Sequence, residues 1–337
     1  MHKIIVDNKI PFMKGRLEPF AEVVYAAPTQ IDRDMVKDAD ALVVRTRTKC
    51  DKSLLEGSKV KLVATATIGT DHIDEKWCGE NGIKVRNAAG CNAPGVAQYV
   101  WASLLRNGFD PQTHTLGIVG HGNVGSIVAQ WGNQMGCKIL ISDPPKEKEN
   151  KDGIPYVSLE ELLLNSDAVT LHVPLTFSGE YPTSYMISQR ELEMMKPSSF
   201  LVNAARGGVV DENALLKAID ERGIKALTDV WENEPLISTH LLEKSLVATP
   251  HIAGYSLEGK SRATHMVLNA LEEELGISID KSGLEAPWKP SATKATAKVI
   301  RDSYNPSVDT EMLRSQPADF EKLRENYELR KEPLNNS

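Results

Sequence analysis

Nowhere in these 337 residues do apolar side chains run for the roughly 18 to 20 positions that a membrane-spanning helix requires, so a helical membrane span is excluded. The opening MHKIIVDNKI lacks the apolar stretch and small-residue cleavage site of a secretory leader and reads as a first strand. The chain is therefore expected in the cytoplasm. Cysteine is scarce: Cys50, Cys78, Cys91 and Cys137 are scattered without a C-x-x-C spacing, which argues against a zinc site or a disulfide framework. His72, His172 and His251 show no short metal-ligand spacing either, so no metal is expected. Excess positive charge is also missing. With 39 Lys and Arg against 46 Asp and Glu, the net charge of -7 argues against nucleic acid as a partner.

What is present describes an ordinary globular protein: 41% hydrophobic and 25% charged residues, in a chain long enough for two domains. The runs KIIVD, ALVVRT and VKLVATATIGTD read as strands with helix-like segments between them, and APGVAQYVWASLL carries apolar residues at helical spacing. A second, denser alternation begins at TLGIVG and continues through CKILISD, AVTLHVP, SFLVNAARG, KALTDVW and SLVATPH. Strand and helix alternating in this way imply an α/β fold class: two Rossmann-like doubly wound parallel-sheet domains with a cleft between them. In such sheets ligands bind outside the carboxyl ends of the strands, which is where chemistry is expected. Beyond about residue 276, prolines and small residues break the rhythm, and the charged end ADFEKLRENYELRKEPLNNS reads either as a solvated helix with a frayed end or as a subunit contact.

GIVGHGNVG contains Gly120-x-Gly122-x-x-Gly125 after an apolar strand and before a helix-like segment that Asn123 and Val124 open. The first glycine permits a tight turn, the second lets a pyrophosphate approach the backbone, and the third allows close packing of helix on strand. The following strand ends in Asp143, whose carboxylate can accept from both ribose hydroxyls and would repel a 2′-phosphate, so the expected cofactor is NAD.

Downstream, strand ends deliver Arg206 in NAARGG, Asp229 and Glu234 in TDVWENEP, and His251 in ATPHIAG. A guanidinium can hold a carboxylate through two parallel hydrogen bonds. An imidazole can remove a hydroxyl proton, and a neighbouring acid can orient the ring. The three catalytic candidates are Arg206, Glu234 and His251, a set suited to oxidising an alcohol beside a carboxylate. His72 reads as a turn histidine, His121 falls at a variable-looking slot of the glycine loop and His172 reads as strand packing, so neither of the last two joins the catalytic set.

The segments GIVGHGNVG, LVNAARGGVVDENAL, DVWENEP and TPHIAGYSLEGK resemble the D-isomer-specific 2-hydroxyacid dehydrogenases. DPP after a strand, with HIAGYSLEGK, selects a branch acting on a phosphorylated hydroxyacid. The resemblance implies NAD contacts from Asp143, Val173, Ala204, Ala205, Arg206, Asp229 and Gly254, beside the glycine loop. It implies substrate contacts from Thr46, Thr67 and Tyr255. By their charge Arg45 or Arg47 can neutralise a phosphate, or both stand as solvated loop charges. The resemblance also implies a substrate domain of residues 1–92 with 253–275, an NAD domain of 93–252, and a shortened dimerisation region at 276–337, hence a homodimer. LLRNGFDPQTH looks shortened against the family pattern, and Ala205 stands where this branch often has cysteine. A related D-2-hydroxyacid such as a phosphoglycerate is the nearest other substrate. An NAD-sensing binding protein on the same scaffold is the reading from another class.

Overall fold

The structure is a computed structural model describing residues 1–149, 151, 153–289 and 295–333. It divides into two compact units, Met1–Asn92 with Ser256–Pro290, and Ala93–Tyr255 with Ser291–Ser337.

The first unit is a five-stranded sheet of β1 (His2–Asp7), β2 (Ala21–Ala26), β3 (Ala41–Val44), β4 (Leu62–Thr65) and β5 (Lys84–Asn87), in the order β2-β1-β3-β4-β5. Every pair is parallel. Alternate residues of a strand face opposite sides: Ile4, Val6, Val43 and Ala64 enter one apolar cluster, and Ile5, Leu42 and Val63 the other. Burial on both faces explains why the central strands read as unbroken apolar runs. The edge strands β2 and β5 are not visible in that pattern. β5 is KVRN with mostly exposed residues, so its pairing comes from β4 and not from hydrophobicity. The helix Leu257–Leu275 covers the first face with Ala263, Val267, Leu268 and Leu271. Its start is set by Ser256, whose side chain accepts from the Gly259 amide at 3.1 Å, and its end by left-handed Gly276.

The second unit holds β6 (Thr115–Val119), β7 (Lys138–Ser142), β8 (Ala168–Leu171), β9 (Phe200–Asn203), β10 (Lys225–Thr228) and β11 (Val247–Ala248), ordered β11-β10-β9-β8-β6-β7. All pairs are parallel. The order reverses between β6 and β8, which puts a ligand crevice at their carboxyl ends. Register does the rest: Asn203 pairs with Thr228, and Thr228 with Ala248, so the loops after β9, β10 and β11 leave the sheet at one level.

The charged end corrects one expectation. Among the described residues it is no solvated helix: Phe320–Glu325, with the preceding helices Ala297–Ser303 and Pro306–Ser315, packs on the second unit, and the expected frayed end falls on residues outside those described. Leu313 and Phe320 are fully buried in its core. The Thr310 hydroxyl accepts from the Ala248 amide at 3.0 Å beside β11, and Arg314 donates to the carbonyls of Leu242 and Ser245. Few apolar residues are needed because the long basic side chains satisfy backbone carbonyls. Residues 290–294 and 334–337 of the expected dimerisation region lie outside the described residues.

Candidate active site

Gly120 leaves β6 with φ near 90°, and a Cβ there would stand 2.6 Å from the His172 carbonyl and 2.9 Å from Val173 Cγ1. Val173 thus lies against the turn, at the crevice between β6 and β8. A Cβ on Gly125 would come within 2.1 Å of the Gly120 carbonyl, whereas one on Gly122 would meet nothing within 4 Å. Gly122 caps the helix Asn123–Gln134 with no side-chain hydrogen bond, so the first amides of that helix, from Asn123 and Val124 onward, are not covered by a capping side chain. Asp143, one residue past β7, accepts from the His121 amide at 2.7 Å and the Lys146 amide at 3.1 Å. The His121 ring faces the Tyr156 hydroxyl, and that of His172 faces Thr170. Burial alone pulls the His172 pKa down to about 3, which suits packing and not proton transfer.

Past β9 the Ala204–Arg206 turn is shaped by Asn203, whose side-chain oxygen accepts from the Ala205 amide and whose amide donates to the Arg206 carbonyl. Gly207 then runs so close to the next loop that a Cβ would lie 2.0 Å from the Trp231 carbonyl oxygen. The Trp231 amide donates to Glu234 Oε1 at 3.0 Å. The arginine turn and the Glu234 loop therefore touch through backbone.

Asp229 is buried, and both its oxygens are committed. One accepts from the Thr249 hydroxyl at 2.7 Å and the Ile252 amide at 2.8 Å, the other from the Ala253 amide at 3.0 Å. Burial raises its pKa, with the nearby His251 and these hydrogen bonds opposing. Its carboxylate thus holds the histidine loop in place, a job the sequence reading did not assign. From the opposite side Arg330 donates to the carbonyls of Ile252, Ala253 and Gly95. Amides and carbonyls of one short segment are thus fastened separately. That segment keeps His251 at φ 57°, a left-handed conformation that non-glycine residues rarely adopt. Gly254 lies in the turn closed by the Tyr255 amide on the Ile252 carbonyl at 2.8 Å.

His251 Nδ1 lies 2.7 Å from Glu234 Oε2. For Glu234 the largest influence is burial, which would raise its pKa; the hydrogen bond and charge of His251, the Trp231 amide and Arg324 outweigh it and hold the carboxyl below its ordinary 4.5. An ionised carboxylate only accepts, so Nδ1 carries the proton and Nε2 of the neutral ring is the basic nitrogen. The sign for stability follows. A carboxylate with a lowered folded pKa contributes stability that is complete above about 4.5 and is lost as pH falls through the lowered value. Glu234→Gln should therefore lose less melting temperature than the parent protein between about pH 6 and 3. Equal losses in the two proteins would remove the linkage.

In the first unit, Arg45 makes two hydrogen bonds to Asp7, at 2.9 and 3.2 Å, and Asp7 is fully buried. The Arg45 charge thus has a buried carboxylate partner within the unit. Thr46 and Arg47 follow on the exposed turn. The Thr67 hydroxyl bonds that of Thr65 at 2.6 Å and donates to the Gly69 carbonyl, while Thr65 faces His72 Nε2 at 3.3 Å.

Residues 86–253 match the family described as D-isomer specific 2-hydroxyacid dehydrogenase, NAD binding domain. A relative from Bacteroides thetaiotaomicron named erythronate-4-phosphate dehydrogenase is 44% identical, over 98% of this chain and 97% of its own length. This chain belongs to the D-isomer-specific 2-hydroxyacid dehydrogenase family. A second relative of the same name, from Escherichia coli, is 37% identical over 98% of this chain and 92% of its own length. Among solved structures, D-lactate dehydrogenase from Aquifex aeolicus, complexed with NAD and lactic acid, superposes with a TM-score of 0.65 at 25% identity, over 86% of this chain and all of that one.

As a 2-hydroxyacid dehydrogenase the protein is an oxidoreductase that uses NAD. The residues present fit that cofactor: open space above Gly122, helix amides without a capping side chain and a carboxylate one strand away suit a diphosphate and a ribose. Among the described residues, no group of three or more His, Cys, Asp or Glu could hold a metal ion, and no helix is long and apolar enough to cross a membrane. All four cysteines are buried thiols. Sequence reasoning missed Asn203, Thr249, Arg324 and Arg330. Asn203 has a signal, an asparagine at a strand end before a turn. The two arginines have none, because only folding brings the end of the chain back to the His251 loop.

Proposed function

We propose that the protein oxidises 4-phospho-D-erythronate at its 2-hydroxyl to (R)-3-hydroxy-2-oxo-4-phosphooxybutanoate, a step of pyridoxine and pyridoxal 5′-phosphate biosynthesis. The observation that carries the chemistry is the 2.7 Å contact of His251 Nδ1 with Glu234 Oε2, which leaves Nε2 as the basic nitrogen. When bound, NAD would supply the acceptor for the hydride that leaves C2. His251 takes the hydroxyl proton on Nε2, and Glu234 steadies the imidazolium so formed. Arg206 holds the carboxylate beside C2 through its planar fork and so fixes the carbon to be oxidised. The Asp229 and Arg330 clamps fix the backbone of the loop from which the imidazole projects.

The site roles assigned to the glycine loop, Asp143, Val173, the Ala204–Arg206 turn, Asp229 and Gly254 are contacts to NAD. Thr46, Thr67 and Tyr255 supply neutral hydroxyl partners to the substrate, and Arg45, braced by Asp7, adds a cation to the same contacts. The substrate domain comprises residues 1–92 with 253–275 and the NAD domain residues 93–252. Through 276–337 two copies form a homodimer that works in the cytoplasm.

The test is NAD reduction, followed by absorbance, with a panel of phosphorylated and plain 2-hydroxyacids. The expected result is a kcat/KM for 4-phospho-D-erythronate about 100-fold or more above those for 3-phosphoglycerate and unphosphorylated erythronate, since a site built for a charged group discriminates strongly against its absence. Preference for phosphoglycerate would reassign the substrate. NAD binding without turnover of any acid would point to a sensor.

A further inference from the structure

The oxygen of Glu234 that bonds His251 has a second neighbour. Arg324 Nη1, from the helix Phe320–Glu325, lies 4.0 Å from Glu234 Oε2 and 3.6 Å from Glu321 Oε1. Its side chain is 20% exposed, so the charge is poorly screened. The Tyr255 hydroxyl is another electrostatic neighbour of this guanidinium, and the Tyr255 ring meets Tyr327 edge-on at 6.1 Å. Six residues beyond Arg324, Arg330 fastens the carbonyls of Ile252 and Ala253. Arg324 and Arg330 of the tail therefore both reach the loop from which the proposed proton acceptor projects.

We infer that Arg324 is a positioning residue for the hydroxyacid oxidation: delivered by the C-terminal tail, it holds its positive charge against the Glu234 oxygen that orients His251. The inference rests on the proton-transfer reading above and deepens it, because it makes the tail part of the site's machinery and not only of its packing. Arg324 itself touches no reacting atom. Its effect passes through the pair, whose titratable and charged neighbours are Arg324 and Glu321 from the tail, Glu212 from the helix Glu212–Arg222, Asp229 at the end of β10, and Tyr255. Glu212, Glu321 and Asp229 are acids; Arg324 supplies a cation. Removing it makes the pair hold a proton more tightly, and oxidation needs that proton gone.

The test uses full-length Arg324→Gln and Arg324→Lys with His251→Asn as control, reading kcat and KM for the phosphorylated hydroxyacid across pH, NAD affinity and melting temperature. For Arg324→Gln we expect kcat about tenfold lower, NAD affinity unchanged within about twofold, and the acidic limb of kcat/KM moved to higher pH by about half to one unit. Arg324→Lys, which keeps the charge and loses the fork, should recover most of the limb shift and part of kcat. An acidic limb in Arg324→Gln that stays within about 0.2 units of the parent overturns the inference. So does Arg324→Lys as impaired as Arg324→Gln with NAD affinity lost in step, which would make the residue a packing element. Should His251→Asn retain full turnover, the proton-transfer reading itself fails and this inference with it. If His251→Asn is inactive while the limb stays fixed in Arg324→Gln, only the role of Arg324 is lost.

Discussion

Replacing His251 with asparagine should lower kcat for hydroxyacid oxidation by about 10²- to 10⁴-fold, the usual range for loss of a general base, while NAD affinity stays within about twofold. Asparagine is the right substitute because of the backbone. His251 adopts φ 57°, and asparagine is among the few non-glycine residues that tolerate the left-handed region. Alanine would add conformational strain to the loss of the base and confuse the two effects. The Asp229 and Arg330 clamps act on the backbone of residues 252 and 253 and do not involve the imidazole, so the loop should survive the exchange. Kinetics and equilibrium binding of NAD on the same preparation check this. Unchanged turnover in the variant would mean that another group accepts the proton.

Gly207→Ala carries the second large effect. Its added methyl would lie 2.0 Å from the Trp231 carbonyl oxygen, 2.2 Å from the carbonyl carbon and 2.7 Å from the Glu232 nitrogen. These are backbone atoms, and no rotamer can relieve the overlap. The loops after β9 and β10 must part by an ångström or more. Overpacking of this kind costs typically 1–3 kcal/mol, and more where backbone must move, so a melting temperature several degrees lower is expected. Catalysis should suffer beyond the loss of stability. The residue before Gly207 is Arg206, and Trp231 donates its amide to Glu234, so two of the three proposed catalytic side chains are displaced together. A shift of about 1 Å in a positioning group can cost 10²-fold, and kcat/KM should fall by about that factor at temperatures where the variant is still folded. A variant with near-normal kcat/KM would show that the two loops are free to separate and that their contact does not aim Arg206.

How far the site is legible before folding depends on what each residue answers to. The glycine loop is legible because its requirement is local: a turn, a close approach and a helix start all fall within six residues of each other. The parallel sheets are legible for a related reason. Their inner strands are buried on both faces, and such strands can hardly be anything but apolar runs. β5, with the sequence KVRN at an exposed edge, carries no such mark. Arg45 shows the opposite case: its sequence position left a phosphate partner and a solvated loop charge both open, and its pairing with the buried Asp7 one strand away becomes visible only in the fold. Asp229 was legible as a strand-end carboxylate but not in its job, since the amides it accepts from lie more than twenty residues along the chain.

By itself, then, the order of amino acids determined that this chain is two parallel α/β units, that one of them binds a dinucleotide, and that an arginine, an acid and a histidine stand at successive strand ends. Those properties follow from periodicity and from backbone requirements met within a few neighbouring residues. Only the tertiary structure decided that Glu234 is the acid bonded to His251, that Asp229 and Arg330 hold the histidine loop in its left-handed turn, and that the tail's Arg324 stands beside the pair. Those are contacts between segments from 17 to about 90 residues apart, brought together by strand register and by a C-terminal helix folding back, and a linear sequence states neither.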